Sequence, residues 1–304
     1  MPEPNFLILG APRSATTFLY RAVNEHPKIF MSTVKEPGFF SHDQRAPEWV
    51  SPMGVSNHIR SWDEYVHLFD GSESYPLRGE ASTTYLADGH AAERIKARLT
   101  EPPRMIAILR NPVDRAYSHY MYHRMLHTEP AECFEDALAD EANRSRKNWN
   151  ILWRYREAGL YGSQIARYYD LFGKDQLLIL LTEDFQDQAW VMKRVFDFLG
   201  LDNAVPIKLE GKVNQSGVSK GSMASWILKS RNPLKLIARR ILPAPMRSHL
   251  RDQLTDKPPE MLAKTRRELE SFYRDDILRT QKLIGRDLNG WLQASFDNAF
   301  SRGS

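Results

Sequence analysis

Residues able to bind or move a charged group cluster at a few places in this 304-residue chain. Gly10-Ala-Pro-Arg-Ser-Ala-Thr-Thr17 stands between a short apolar run and a segment of helical period. Backbone N–H groups and the positive end of a helix at such a junction make an anion site. Arg13 and the hydroxyls of Ser14, Thr16 and Thr17 add donors suited to a phosphate or sulfate oxygen. Arg110-Asn-Pro-Val-Asp-Arg-Ala-Tyr-Ser118 repeats the arrangement: a second apolar run ends in Arg110, Pro112 starts a helix, and Ser118 returns over Arg115 and the first turns. Candidates for proton transfer are Glu36 in Lys35-Glu-Pro-Gly-Phe-Phe40, His42 just after it, and Glu80 in Gly79-Glu-Ala-Ser-Thr-Thr-Tyr85. A carboxylate beside Lys35 and two phenylalanines is expected to be ionised and partly desolvated, which suits a base near neutral pH.

The first loop departs from the Walker pattern of nucleoside triphosphate enzymes. Ala15, Thr16 and Thr17 stand where a second glycine, a lysine and a Ser or Thr are required. Arg110 occupies the strand end at which such enzymes offer a metal-binding aspartate. Both departures favour an anion held by arginine and hydroxyls without magnesium. No His, Cys or carboxylate cluster has metal-ligand spacing, so no metal is expected. Cys133, the single cysteine, sits in Pro-Ala-Glu-Cys-Phe-Glu with two acids and no cation to stabilise a thiolate, and is expected to be a bystander on a helix.

Strands and helices must hold these loops in place. Phe6–Leu9, Met105–Leu109 and Gln176–Leu181 read as buried strands, and Leu77–Glu80 as a weaker fourth. Helical spacing follows the first three (Phe18, Leu19, Ala22, Val23; Val113, Ala116, Tyr117, Tyr120, Met121; Trp190, Val191, Val195, Phe198, Leu199). It also precedes the third, in Tyr161, Ile165, Tyr168 and Phe172, and Gly200 suits a helix C-terminus. The alternation predicts an α/β domain with a parallel sheet covered by helices. From Pro259 to about Leu283 a charged helix carrying Leu262, Leu269, Phe272 and Ile277 leads to Trp291, expected to dock on the body. One domain is the default for this length and 42% hydrophobic content. Between about 222 and 260, prolines break up basic amphipathic pieces such as Leu234–Leu242. This segment reads as a solvated helical insertion, or alternatively as a lid or membrane-surface contact.

The net charge of +4 fits an anionic small ligand as well as nucleic acid. The basic residues are scattered among acids and match no nucleic-acid motif, so no nucleic-acid partner is expected. No signal segment and no stretch of about eighteen apolar residues is visible, which points to a cytoplasmic protein without a transmembrane span. Arg144, Arg146, Lys147 and Arg154 have the charge to greet an acidic glycan, and a solvated helix face explains them equally well.

Ala11-Pro-Arg-Ser-Ala-Thr-Thr17 resembles the 5′-phosphosulfate loop of sulfotransferases that use 3′-phosphoadenosine 5′-phosphosulfate (PAPS), with Ala15 in place of the usual glycine. That replacement needs a backbone angle alanine can hold and stiffens the loop without removing a donor. Arg110 to Ser118 resembles the same family's 3′-phosphate motif. The resemblance implies that Arg110 and Ser118 grip the adenosine 3′-phosphate, that Ser14, Ala15, Thr16 and Thr17 hold the 5′-phosphate, and that Arg13 stabilises the leaving oxygen. Ser219-Lys220-Gly221 resembles the family's nucleotide-closing loop, and Trp49, Trp62 and Phe185 are candidates to stack the adenine. Lys35 to Phe40 resembles the segment of heparan sulfate and bacterial glycan-type members whose glutamate, here Glu36, is the base. The hormone-type branch uses a histidine, which keeps His42 as a rival beside Glu80. His119 and His123 are expected to be packing or surface residues.

The implied fold is a P-loop-like three-layer α/β/α sandwich. The implied activity is sulfuryl transfer to a hydroxyl or amine of a glycan or small natural product. Alternatives are a P-loop kinase-like nucleotide enzyme and a protein that binds the nucleotide without turnover. The acceptor and the oligomeric state are not readable from sequence.

Overall fold

The structure, a computed structural model, describes residues 2–41, 52, 59–202, 218–219, 255–256 and 259–292. Five parallel strands form the central sheet: β1 (Phe6–Gly10), β2 (Ile29–Met31), β3 (Leu77–Ala81), β4 (Arg104–Leu109) and β5 (Leu177–Leu181), in the order β2-β3-β1-β4-β5. β1 is central and buried along its whole length, which is why it reads as a continuous apolar run. Its side chains alternate: Phe6 and Ile8 enter the core on one face, Leu7 and Leu9 the core on the other.

The helices, in chain order, are α1 (Thr16–Asn24), α2 (Trp62–His67), α3 (Ala91–Arg98), α4 (Pro112–Met125), α5 (Phe134–Ala139), α6 (Glu141–Arg146), α7 (Tyr161–Phe172), α8 (Gln188–Leu199) and α9 (Ala263–Ile284). Leu19 and Val23 of α1 and Val191 and Val195 of α8 cover one face of the sheet. Ile95 of α3, Val113 and Ala116 of α4, Ile165 and Tyr168 of α7, and Leu269 and Ile277 of α9 cover the other. The three-layer α/β/α sandwich expected from the strand-helix alternation is therefore present.

β2 has no counterpart in the expected strands, because three residues at a sheet edge leave no periodic signal. Gly200 closes α8 at φ 74°, as a left-handed C-terminal glycine does. In α9, Leu269 and Ile277 are buried, while Leu262 before it (62% exposed) and Phe272 (45%) are not, which corrects the apolar stripe read from sequence. Trp291 docks as expected: it is buried, and its indole Nε1–H donates to Glu183 at 2.7 Å. Cys133 caps the N-terminus of α5 rather than lying within a helix, and is exposed. Most of 222–260 lies outside the described residues. Thr255–Asp256 (β7) pairs antiparallel with Val218–Ser219 (β6). Among the described residues no helix is long and apolar enough to cross a membrane.

β1 and β3 meet tightly at Phe6 and Gly79, which face each other in register. A Cβ added at Gly79 would lie 2.2–2.5 Å from the Phe6 ring. Gly79→Ala is expected to destabilise the fold by about 1–3 kcal/mol, the usual cost of overpacking. Urea denaturation checks this, and Phe6→Leu in the same chain should recover part of the loss; an unchanged midpoint for Gly79→Ala would contradict the packing.

Candidate active site

β1 runs into a tight loop. Gly10 has φ 145°, and a Cβ there would stand 3.0 Å from the Thr83 carbonyl oxygen and 3.3 Å from Leu86 Cβ, so only glycine lets the chain following β3 come this close. Arg13 (φ 67°) and Ala15 (φ 63°) are left-handed. Ala15 thus does hold the angle that glycine usually supplies, and it is the N-cap of α1. No side chain caps that helix and its first turn holds no acid, so its positive end faces the loop unneutralised. Ser14 is fully buried, and its hydroxyl has no protein partner. An orphaned buried hydroxyl is costly and suits a site that receives an oxyanion. Thr16 is buried and Thr17 exposed.

The two anion motifs, 97 residues apart, meet. Arg110 Nη1 donates to the Arg13 carbonyl at 3.2 Å, and Arg13 Nε donates to Ser118 Oγ at 3.3 Å. The Arg13 guanidinium lies over the Tyr122 ring, 4.6 Å from its centroid. Asn111 caps α4 by accepting from the Val113 N–H at 3.0 Å, and Pro112 takes the first helical position, so the local sequence itself starts the helix where Arg110 leaves the strand. Burial lowers the pKa of Arg110. Arg115 of α4 is fully buried and donates to the Tyr155 carbonyl.

Glu36 is also left-handed, at φ 64°. Its N–H donates to the Ala81 carbonyl at 2.9 Å, which fastens the segment to the end of β3. Its carboxylate is 42% exposed, pairs with Lys35 Nζ at 2.5 Å, and accepts from Thr83 Oγ1 at 3.1 Å. Glu80 differs in every respect. It is fully buried and accepts from Tyr65 (3.2 Å) and Ser82 (2.9 Å). Desolvation raises its pKa to about 7, against the lowering effect of its hydroxyl partners. Sealed in this way, Glu80 is out of reach of a substrate, which corrects its candidacy as base.

A cavity of about 210 Å³ joins the first loop to Glu36. The loop from Pro12 to Thr17 forms one side, Glu36 and Thr83 the edge, and His119, Tyr122, His123, Leu126, Leu152 and Trp153 the far wall. The two histidines, expected to be packing or surface residues, are buried and also line the cavity. Burial holds both imidazoles neutral, His119 well below its ordinary pKa and His123 down to about 3. Their partners come from residues 129–155, a region whose irregular sequence gave no signal. Arg144, read from sequence as an exposed base, is in fact buried in a bidentate pair with Glu129 at 2.6 and 2.9 Å. Arg154 pairs with Glu157.

Phe185 is buried edge-on against Phe18, and Trp62 packs with Phe39 and Tyr65 under Arg98. Neither ring faces the cavity. The backbone of Ser219 lies in β6, which packs near α4. His42, Trp49, Lys220 and Gly221 lie outside the described residues.

A sheet-end loop with a buried orphan hydroxyl, an arginine and a carboxylate on one cavity, and a second arginine bonded to that loop, define a group-transfer enzyme that handles an oxyanion. The comparisons narrow the class. A family profile described as a sulfotransferase domain matches residues 3–230. The crystal structure of a sulfotransferase from Alicyclobacillus acidocaldarius superposes with a TM-score of 0.74 at 30% identity, covering 96% of this chain and 99% of that one. Carbohydrate sulfotransferase 15 of Mus musculus is 27% identical over 251 residues, 65% of this chain and 44% of that protein. Bifunctional heparan sulfate N-deacetylase/N-sulfotransferase 1 of Homo sapiens is 26% identical over 304 residues, 97% of this chain and 31% of that protein. The chain belongs to the sulfotransferase family, and it spans less than half the length of these two curated relatives.

Glu80 makes a pH prediction. Its folded pKa, about 7, lies above the ordinary 4.5, so folding favours the protonated form. Its contribution is fully present below pH 4.5 and is lost as pH rises to about 7, a loss on the order of 3 kcal/mol. Glu80→Gln is expected to flatten this part of the stability profile. Denaturant midpoints at pH 5 and pH 8 for both proteins check it, and equal slopes would rule out the buried carboxyl as their source.

Proposed function

We propose that the enzyme transfers the sulfuryl group of PAPS to a hydroxyl or amine of a glycan or small natural product, with Glu36 as base. The observation that carries this reading is that Arg13 and the uncapped start of α1 share one cavity with Glu36, while Arg110 and Ser118 are bonded directly to Arg13. PAPS supplies an activated sulfuryl group whose departure leaves charge on a phosphate oxygen. Donors fixed in advance in a partly desolvated loop stabilise such charge without reorganising. Ser14, Thr16 and Thr17, with the loop N–H groups, hold the 5′-phosphate side; Arg110 and Ser118 hold the 3′-phosphate; Arg13 lies between them and faces the leaving oxygen.

Glu36 takes the proton from the acceptor as the acceptor atom bonds to sulfur and the sulfur–oxygen bond to the 5′-phosphate breaks. The products are the sulfated acceptor and 3′-phosphoadenosine 5′-phosphate. Lys35 and Thr83 hold the Glu36 carboxylate by both oxygens, so that it is oriented before the acceptor arrives. The glycan part of the proposal draws on the carbohydrate and heparan sulfate relatives.

Calorimetric titration with 3′-phosphoadenosine 5′-phosphate, ATP and AMP, with and without magnesium, tests the donor. Binding that needs the 3′-phosphate and ignores magnesium is expected, and preference for magnesium-ATP would turn the reading into a kinase. Glu36→Gln is expected to lower kcat by about 10²–10⁴-fold, the usual contribution of a general base, with affinity for the product nucleotide unchanged. Arg13→Ala should lower turnover by a comparable factor through the lost charge on the leaving oxygen. Near-normal turnover in Glu36→Gln would move the base assignment to His42.

A further inference from the structure

The far wall of the cavity contains a histidine whose proton is placed by its neighbours. His123 Nδ1 lies 3.0 Å from the Tyr155 hydroxyl, and that hydroxyl donates to Glu129 Oε2 at 2.5 Å. Glu129 is at the same time held by both ends of its carboxylate to Arg144, so it is the acceptor in both contacts. A phenol has one proton. With that proton committed to Glu129, Tyr155 can only accept from His123, and the imidazole must carry its hydrogen on Nδ1. Nε2 is then left with a bare lone pair. It has no hydrogen-bond partner among the described residues and is not among the buried polar atoms shut off from solvent.

The ring is fixed as well as its proton. His123 stacks on Trp153 with centroids 4.4 Å apart and planes at 17°. Trp153 is held by its own Nε1–H on the Thr128 carbonyl at 3.0 Å and by Arg144 on its carbonyl at 3.0 Å. The chain of contacts from Arg144 to Glu129, Tyr155 and His123 is the arrangement by which a protein selects one imidazole tautomer and aims the other nitrogen. The same lining is aromatic or apolar at Tyr122, Leu126, Leu152 and Trp153, with the His119 ring centroid 4.5 Å from that of His123 and the Arg13 guanidinium over Tyr122. Among the described lining residues the only charged side chains are Arg13 and Glu36, both assigned above to the transfer itself.

We propose that His123 is an acceptor-binding residue whose Nε2 accepts an O–H hydrogen bond from an uncharged, ring-bearing acceptor seated against Tyr122, Leu126, Leu152 and Trp153. This rests on the PAPS reading, which gives the loop end of the cavity to the donor and leaves the far wall to the acceptor. A phenol and a neutral sugar share the required chemistry, a hydroxyl on a ring with an apolar face.

Histidine-selective ¹⁵N NMR of the full chain, saturated with 3′-phosphoadenosine 5′-phosphate, reads the proton directly. His123 is expected to carry hydrogen on Nδ1 and a bare Nε2, and Tyr155→Phe to shift it toward a mixture of tautomers. Hydrogen fixed on Nε2 in the unaltered protein overturns the proposal. Kinetics with 4-nitrophenol and with chitobiose separate a phenol from a sugar. For the probe that is turned over, His123→Phe is expected to raise the acceptor KM about tenfold, the loss of one hydrogen bond, with nucleotide Kd unchanged. His123→Gln, whose amide oxygen reaches the place of Nε2, should recover most of that loss, which mere packing would not. An unchanged acceptor KM in His123→Phe, or turnover of neither probe by a protein that binds the nucleotide, overturns the proposal. Failure to bind the nucleotide at all defeats the donor assignment instead, which tells the two failures apart.

Discussion

The site depends on how β1 leaves the sheet. A central parallel strand must turn out of the sheet between two neighbours without clashing with either, and here the turn is stitched to both. Ala11 N–H donates to the Ile108 carbonyl of β4, while Ser82 and Leu86, beyond β3, donate to the Ile8 and Leu9 carbonyls. Gly10 permits the approach to Thr83. The loop that follows holds two non-glycine residues in the left-handed region, each at a cost on the order of 1–2 kcal/mol. Packing of the whole sandwich around β1 offsets that cost. What results is a loop whose conformation is fixed before any ligand arrives, which is the requirement for stabilising charge in a transition state.

Arg144, Arg13 and Arg110 show how burial separates structure from function. Arg144 is buried with a bidentate carboxylate, and its charge is answered within the protein. Removing Glu129 would leave that charge uncompensated, so the pair is strongly held even though its net contribution to stability is small. Its effect is positional, since it fixes Tyr155 and Trp153 and through them one wall of the cavity. Arg13 and Arg110, by contrast, are brought close to each other by contacts to a hydroxyl and a carbonyl.

The loop, its helix, the second arginine motif and the sheet order's main strands were legible because their signals are local: apolar runs, a proline at a helix start, hydroxyls after a strand. The far wall was not. α4 is buried on nearly every side, Arg115, Ser118, His119 and His123 included, so helical periodicity could not show which face meets a cavity. The partners that give His123 its role, Glu129, Tyr155 and Trp153, come from a stretch of short helices and turns without a repeating pattern. Arg144 was misread for the same reason: its acid partner stands fifteen residues earlier, beyond the reach of helical spacing. Glu80 looked like a rival to Glu36 because both follow or precede a hydroxyl-rich strand end, and sequence carries no measure of burial.

The two carboxylates contrast in burial and in access to the cavity. Glu80, with its pKa raised to about 7, has the proton affinity of a base at neutral pH. A base must first reach the proton it takes, and geometry ranks before pKa. Glu80 is sealed behind Tyr65 and Ser82, while Glu36 opens on the cavity. Glu80 nevertheless bears on Glu36 through the hydroxyls around it. The Ser82 hydroxyl that donates to Glu80 also accepts the Gly38 N–H at 3.0 Å, and the Tyr85 hydroxyl accepts the Phe40 N–H at 3.3 Å. The buried carboxyl therefore orients the Ser82 hydroxyl, which accepts from the segment carrying Glu36 and helps hold it at its left-handed angle. Its raised pKa records the desolvation that comes with this supporting position.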